Sequence, residues 1–161
     1  MHNAFVGIGS NLGGKRLNCQ RALDFLKKVP ETKLVKVSSF YLTEPIEESA
    51  QPWFINLVAK IKTGLNFKEL FQWLKKIEYL LGRAPTFPQG PRVIDLDLLL
   101  FDNLKVNEPN LIIPHPRLHK RRFVLAPLSE VARGQIHPIF KQSFDFLLSH
   151  LMSNEWVIRV S

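Results

Sequence analysis

VIDLDLLLF, residues 93–101, reads as a β-strand. Side chains alternate along a strand, so Ile94, Leu96, Leu98 and Leu100 share one face. Asp95, Asp97, Leu99 and Phe101 share the other. Beyond Asp97 both faces are apolar, which places this strand inside a sheet. Asp95 and Asp97 then sit roughly 7 Å apart on one face, at the rim of a buried surface. Two like charges there repel each other and lose hydration. A divalent cation between them removes both costs, and oxygen ligands without His or Cys suit Mg²⁺. Two carboxylates at an exposed strand end, bonded to neighbouring amides, account for the pair equally well.

Outward from this strand the elements fall in a simple order. NAFVGIGS reads as a first strand, and Leu17, Ala22, Leu23 and Leu26 give the following segment a helical spacing that Pro30 ends. Residues 33–42, KLVKVSSFYL, alternate and are rich in β-branched residues, as in a strand. Residues 44–52 read as a loop and 53–63 as the next strand. In NFKELFQWLKKIEYLLG, Leu70, Leu74, Ile77 and Leu81 form one helical stripe, with Gly82 as the stop. Residues 83–91 hold three prolines and read as a loop. After residue 101 come a turn with a short strand, the extended LIIPHP, and a helix over RRFVLAPLSEVA despite Pro127. A helix follows with Phe140, Phe144, Leu147, Leu148 and Leu151 on one face, and EWVIRV reads as a last short strand. The first six elements run β-α-β-β-α-β. That order predicts an α+β, ferredoxin-like antiparallel sheet with covering helices, in a single domain over 1–161.

Composition narrows the function classes. The chain has 161 residues, is 45% hydrophobic and carries a net charge of +8. Disorder is excluded by the apolar content. No apolar run approaches the roughly 20 residues of a membrane span. The opening MHNAFVGIGSNLGGK lacks a basic leader before a long apolar run, so no secretion signal is expected. One cysteine, Cys19, forbids an internal disulfide and fits a reducing, cytoplasmic setting. The positive charge concentrates in HPRLHKRR, residues 115–122, and points to an anionic partner or to a solvated basic face.

Arg92 precedes the acidic pair, and His115 and Arg121 follow it. Carboxylates that hold Mg²⁺ beside arginines that pair phosphate oxygens are the parts of a phosphoryl-transfer site. Arg83 could equally cap the helix ending near Gly82, and Arg117, Lys120 and Arg122 read as surface charges. Gly7-Ile8-Gly9-Ser10-Asn11 lacks the third glycine of a dinucleotide fingerprint and the Gly-Lys-Ser/Thr of a P-loop. It reads as a strand-to-helix turn with Ser10 or Asn11 as cap. Phe54 and Asn56 share a strand face, and an amide beside aromatic rings can take a flat heterocycle.

VGIGSNLGG, VSSFYLTEP, Phe54-Ile55-Asn56, GPRVIDLDLLLF and IPHPRLHKRRFVLAPLSEVA, in that order, resemble the 6-hydroxymethyl-7,8-dihydropterin pyrophosphokinases of folate biosynthesis. The resemblance implies the ferredoxin-like fold and transfer of the β,γ-pyrophosphate of ATP to the hydroxymethyl oxygen of a reduced pterin, with AMP leaving. It implies that Asp95 and Asp97 hold two Mg²⁺ ions, with Asp95 also at the pterin. It gives Arg83, Arg92 and Arg121 to phosphate charge and His115 to the ATP phosphates or ribose. Thr43, Pro45 and Ile46 line the pterin site, Asn56 reads the pterin edge, and Phe54 and Phe123 stack on its faces. Glu78, Leu98 and Ile112 fall where the family contacts ATP. The partners it implies are small molecules, ATP and the pterin, with no nucleic acid and no membrane, and the protein is expected to act as a monomer.

Two departures accompany the resemblance. Glu44 stands where proline is common. In the loop 83–91, Pro85, Pro88 and Gln89 replace a second arginine and a basic-aromatic pair, leaving Phe87 as the one ring. Three prolines fix φ, so this loop is expected to be stiffer and to contribute less to ATP binding. The rival functions are a nucleic-acid-binding module and a silent relative kept for interaction. The acidic pair opposes the first, because without metal it repels a phosphate backbone.

Overall fold

Each strand reads its covering layer through its own alternation. The structure, a computed structural model, describes residues 1–45, 50–83 and 90–160. In β1 (His2–Ser10), Ala4, Val6 and Ile8 point to one side and Phe5, Gly7 and Gly9 to the other. The first side is covered by α1 (Lys15–Lys27) and α2 (Phe67–Leu80), the second by α3 (Arg122–Val131) and α4 (Phe144–Ser149). The result is a mixed α/β molecule in three layers, with an antiparallel sheet at its centre.

β1 is central. It pairs antiparallel with β4 (Phe54–Thr63) and with β5 (Asp95–Phe101). β2 (Thr32–Val37) and β3 (Tyr41–Thr43) both pair with β4, and β8 (Val157–Arg159) pairs with β3. A separate hairpin joins β6 (Val106–Glu108) to β7 (Leu111–Ile113). The six-stranded sheet therefore runs β5-β1-β4-β3-β8, with β2 beside β4.

α2 begins with a reciprocal cap. The Asn66 side chain accepts from the Glu69 N–H at 2.9 Å, and the Glu69 carboxylate accepts from the Asn66 N–H at 3.1 Å. Two otherwise unpaired donors are satisfied, worth about 1 kcal/mol. Gly82, at φ +91°, ends the helix in the left-handed region, as its sequence position predicts.

Four sequence readings are corrected. The strand over 33–42 is two strands, because Ser38 Oγ accepts from the Val58 N–H at 2.9 Å and replaces a ladder carbonyl. In α1 the buried stripe is Cys19, Ala22 and Leu26, whereas Leu17 is 51% exposed. The last helix starts only at Phe144, where Ser143 caps it by accepting from the Phe146 N–H. Phe140 lies before it, ringed by His119 and His137. The fourth concerns β5. Phe5 pairs with Leu100 and Val6 with Leu98, so Leu99 is an extra residue, a β-bulge. Leu100 therefore joins Leu99 beneath α3, and Phe101 turns to the α1/α2 side, opposite to strict alternation.

Candidate active site

The bulge and the glycines of β1 shape one end of the sheet. Gly9 stands in register between Asp95 on β5 and Asn56 on β4, and Gly7 stands opposite Asp97. At positions 7 and 9 the middle strand thus offers no side chain on the α3 side, and a trough opens between the carboxylates and Asn56. The sequence reading of residues 7–11 as a turn is corrected here: Gly7 and Gly9 lie inside β1. α1 is capped by Gly14 without a side-chain bond, so neither Ser10 nor Asn11 serves as its cap.

Gly9 is required by geometry. A Cβ there would lie 2.3 Å from Asn56 Oδ1, well inside contact distance. At Gly7 a Cβ would meet only Leu99 carbons at 3.5 Å, an ordinary contact. Asn56 is held from its other end, donating from Nδ2 to Thr43 Oγ1 at 2.8 Å, and both residues are buried.

Two cavities open side by side. The first is lined by Gly9, Thr43, Pro45, Phe54, Asn56 and Phe123 among others. The second is lined by Arg83, His115, Pro116 and Arg117. Asp95, Asp97, Arg92 and Arg121 form the wall common to both. Each aromatic of the first cavity carries a guanidinium from that wall. Arg92 lies 5.0 Å from the Phe54 ring centre and Arg121 5.5 Å from that of Phe123.

The carboxylates are strongly engaged. Arg83 Nη1 donates to Asp95 Oδ1 at 2.7 Å and to Glu78 Oε2 at 3.0 Å. Arg92 Nε lies 3.6 Å from Asp95 Oδ2 and, though buried, has no hydrogen-bond acceptor. Burial first, and then the neighbouring Asp95, push the Asp97 carboxyl up to about 7. Among the described residues no group of three His, Cys, Asp or Glu gathers around one point. Two adjacent carboxylates with no third protein ligand suit a cation that keeps water and substrate oxygens in its shell. Mg²⁺ fits that donor set.

His115 is placed by the bulge, since its N–H donates to the Leu99 carbonyl at 2.9 Å. Its Nδ1 accepts from the Arg117 N–H at 3.2 Å, which assigns the neutral ring's proton to Nε2. Burial, with Arg121 adding to it, pushes His115 down to about 4. Burial, with His119 adding, does the same to His137. Unfolded imidazoles bind a proton near 6.5, so between about 6.5 and 4 the unfolded chain holds more protons. Stability is therefore expected to fall as pH drops through that window. Urea midpoints measured from pH 7 to 4 should show that slope, and His115→Asn should flatten it.

Of the residues singled out in the sequence, Thr43, Pro45, Phe54, Asn56, Asp95 and Phe123 come together in the first cavity. Arg83, Arg92, Asp95, Asp97, His115 and Arg121 come together in the second. Arg117, read as a surface charge, also lines the second. Glu78, Leu98 and Ile112 line neither. Glu78 is 4% exposed and accepts from the Leu96 N–H at 2.7 Å as well as from Arg83, so it ties α2 to β5. Leu98 packs in the core on the α1/α2 side, and Ile112 is exposed on β7. Ile46, and Pro85, Phe87, Pro88 and Gln89 of the proline-rich loop, lie outside the described residues. Gly9, Asn11 and Gln51 were missed. Gly9 had a readable signal, a glycine pair spaced i, i+2 in an otherwise apolar strand.

The family model for 7,8-dihydro-6-hydroxymethylpterin-pyrophosphokinase (HPPK) matches residues 5–133. The chain belongs to this family. The 2-amino-4-hydroxy-6-hydroxymethyldihydropteridine pyrophosphokinase of Bacillus subtilis is 40% identical over 130 residues, which are 81% of this chain and 78% of that one. The protein of the same name from Pseudomonas aeruginosa is 40% identical over 132 residues, 82% of each chain. In fold, the crystal structure of Plasmodium falciparum HPPK-DHPS with SDX-DHP superposes with a TM-score of 0.73 at 16% identity. It covers 92% of this chain, which spans 43% of that longer one. This HPPK-family chain is an enzyme of folate biosynthesis, a pyrophosphokinase that transfers pyrophosphate from ATP to hydroxymethyldihydropterin.

Proposed function

We propose that the two cavities divide the substrates between them, the reduced pterin in the first and the ATP phosphates in the second. The shared wall of Asp95, Asp97, Arg92 and Arg121 is the observation that carries this division. A group transferred from one cavity to the other must cross that wall. On this reading Phe54 and Phe123 stack on the faces of the heterocycle, and Asn56, with Thr43 behind it, meets its edge. Pro45 also lines the pterin site, a place there for Ile46 rests on the resemblance alone, and Asp95 faces the hydroxymethyl group.

Asp95 and Asp97 are the residues that would hold Mg²⁺, two ions on our reading. When bound, Mg²⁺ neutralises phosphate charge and makes the attacking hydroxyl a better nucleophile. The hydroxymethyl oxygen gives up its proton to solvent and bonds to the β-phosphorus of ATP, the bond from that phosphorus to the α–β bridging oxygen breaks with its electron pair staying on that oxygen, and AMP leaves. Arg92, Arg121 and Arg83 pair the oxygens on which charge builds. His115, neutral at pH 7, donates from Nε2 to a phosphate oxygen. Glu78 acts on ATP through Arg83, which it holds. For Leu98 and Ile112 an ATP contact rests on the resemblance alone.

The order β5-β1-β4-β2/β3, with α1 and α2 on one face, supports a ferredoxin-like arrangement over the first 101 residues. We take 1–161 as one pyrophosphokinase domain. Action as a monomer rests on the resemblance alone. Among the described residues no helix is long and apolar enough to cross a membrane. A cytoplasmic setting rests on the single cysteine, which is buried, its thiol pushed up to about 12 by burial.

The test is AMP release from ATP, with and without 6-hydroxymethyl-7,8-dihydropterin. AMP formed only with the pterin is expected; ADP as product, or no turnover, overturns the proposal. Asn56→Ala should weaken pterin binding by about 1–3 kcal/mol, the cost of leaving a buried partner unpaired, with ATP binding near normal. Equal losses for both ligands in calorimetry would make Asn56 a structural residue.

A further inference from the structure

Asn11 lies just beyond β1 and is 1% exposed, lining neither cavity. All the hydrogen-bonding groups of its side chain are used. Nδ2 donates to Gln51 Oε1 at 2.9 Å and to the Pro52 carbonyl at 3.2 Å. Oδ1 accepts from the Arg92 N–H at 2.8 Å, and the Asn11 N–H donates to the Arg92 carbonyl at 3.1 Å. Arg92 is thus held through both polar groups of its main chain. The same side chain holds the segment that leads, two residues later, into Phe54.

This joins two parts of the site that no strand pairing joins. Arg92 belongs to the wall common to both cavities, and its guanidinium lies over the Phe54 ring. The guanidinium's own polar ties stay within its segment and do not reach Phe54: Nη1 donates to the Gly90 carbonyl, and Nε, buried without a hydrogen-bond acceptor, lies 3.6 Å from Asp95 Oδ2. Its position follows from where its backbone is fixed relative to Phe54. One amide, Asn11, sets that relation.

We propose that Asn11 is a positioning residue for pyrophosphate transfer: it sets the Arg92 guanidinium against the heterocycle cavity without touching either substrate. This rests on the assignment of the two cavities made above. A carboxamide is the side chain that suits the task, because it must accept on one side and donate twice on the other. Aspartate keeps the acceptor for Arg92 and loses both donors; alanine loses everything.

A double-mutant cycle with Arg92 separates positioning from plain structural support. Asn11→Ala is made in the wild-type and in the Arg92→Ala background. It is read twice, as AMP release at saturating substrates and as the dissociation constant of α,β-methylene-ATP by calorimetry. In the wild-type background a loss of turnover on the order of 10- to 100-fold is expected, the scale of a misplaced catalytic group. In the Arg92→Ala background the same change should cost less than about twofold, because the residue it positions is gone. Asn11→Asp should fall between wild type and alanine. Equal losses in both backgrounds, or an undiminished rate in Asn11→Ala, overturn the proposal. If Asn11→Ala does not fold, Asn11→Asp takes its place in the cycle. If the wild-type protein releases no AMP, the pyrophosphokinase reading fails on its own. The nucleotide-binding cycle then decides the role of Asn11 in placing Arg92.

Discussion

Asp97→Ala is expected to abolish turnover while making the metal-free protein no less stable, and more stable above pH 7. The two effects have one cause. Asp97 is placed beside Asp95 in surroundings that penalise its charge, so its carboxyl is pushed up to about 7 from its usual 3.8. In the unfolded chain the proton leaves near 3.8. Between these values the folded state holds more protons, so this group opposes folding increasingly as pH rises, and fully above about 7. Removing it lifts that cost. Catalysis moves the other way, because a carboxylate held in such a place is there to face positive charge. Losing a ligand that stabilises the transition state by several kcal/mol lowers the rate by about three orders of magnitude. Thermal melting at pH 5 and pH 8 without metal, together with AMP release at saturating Mg²⁺, checks both halves. Asp97→Asn, of the same shape, should repeat the pattern. A variant destabilised at pH 8 with normal turnover would make Asp97 a structural acid.

How far the sequence could be read varied with how local each feature is. The acidic pair, the α2 stripe ending at Gly82 and the strand at 54–63 are written in short-range patterns, and the structure has all three. The bulge at Leu99 left no such trace. Leucine occupies positions 98, 99 and 100 alike, so alternation cannot register an extra residue, and strict alternation puts Phe101 on the wrong face. The break at Ser38 depends on a bond to Val58, twenty residues away, which no window over 33–42 contains. Within the site, charged and aromatic residues stood out by type. Asn11 did not, because its meaning lies in two loops that approach it only in the folded chain. Glu78 enters through the resemblance alone, as an ATP contact, and no local pattern shows its partners Leu96 and Arg83, which make it a strut behind the cavity.

Gly9→Ala is expected to weaken pterin binding more than Asn56→Ala does, whereas Gly7→Ala should be nearly silent. The two glycines lie on the same face of β1, two residues apart, and propensity alone predicts that alanine is tolerated at either. Space separates them. A methyl at position 9 would stand 2.3 Å from Asn56 Oδ1, so Asn56 must move. Asn56 has no easy retreat, because Nδ2 is bound to Thr43 Oγ1 in a buried setting and moving Oδ1 aside breaks that bond. The variant therefore loses the aimed amide, disturbs Thr43 and puts a methyl on the floor of the trough. Asn56→Ala loses the amide and its bond to Thr43 but leaves the floor of the trough open. At position 7 the methyl meets the Leu99 side chain at 3.5 Å and adds a contact. Titrating the pterin into each variant with a nucleotide analogue present gives the comparison. Asn56→Ala should show the loss of about 1–3 kcal/mol assigned to an unpaired partner, Gly9→Ala a larger one, and Gly7→Ala less than twofold. The combined variant Gly9→Ala/Asn56→Ala decides the cause. If the methyl acts through Asn56, the double variant binds no worse than Gly9→Ala alone, because nothing is left to displace. If the two losses add in full, Gly9 touches the pterin site by a route independent of Asn56, and the account of the trough floor is wrong.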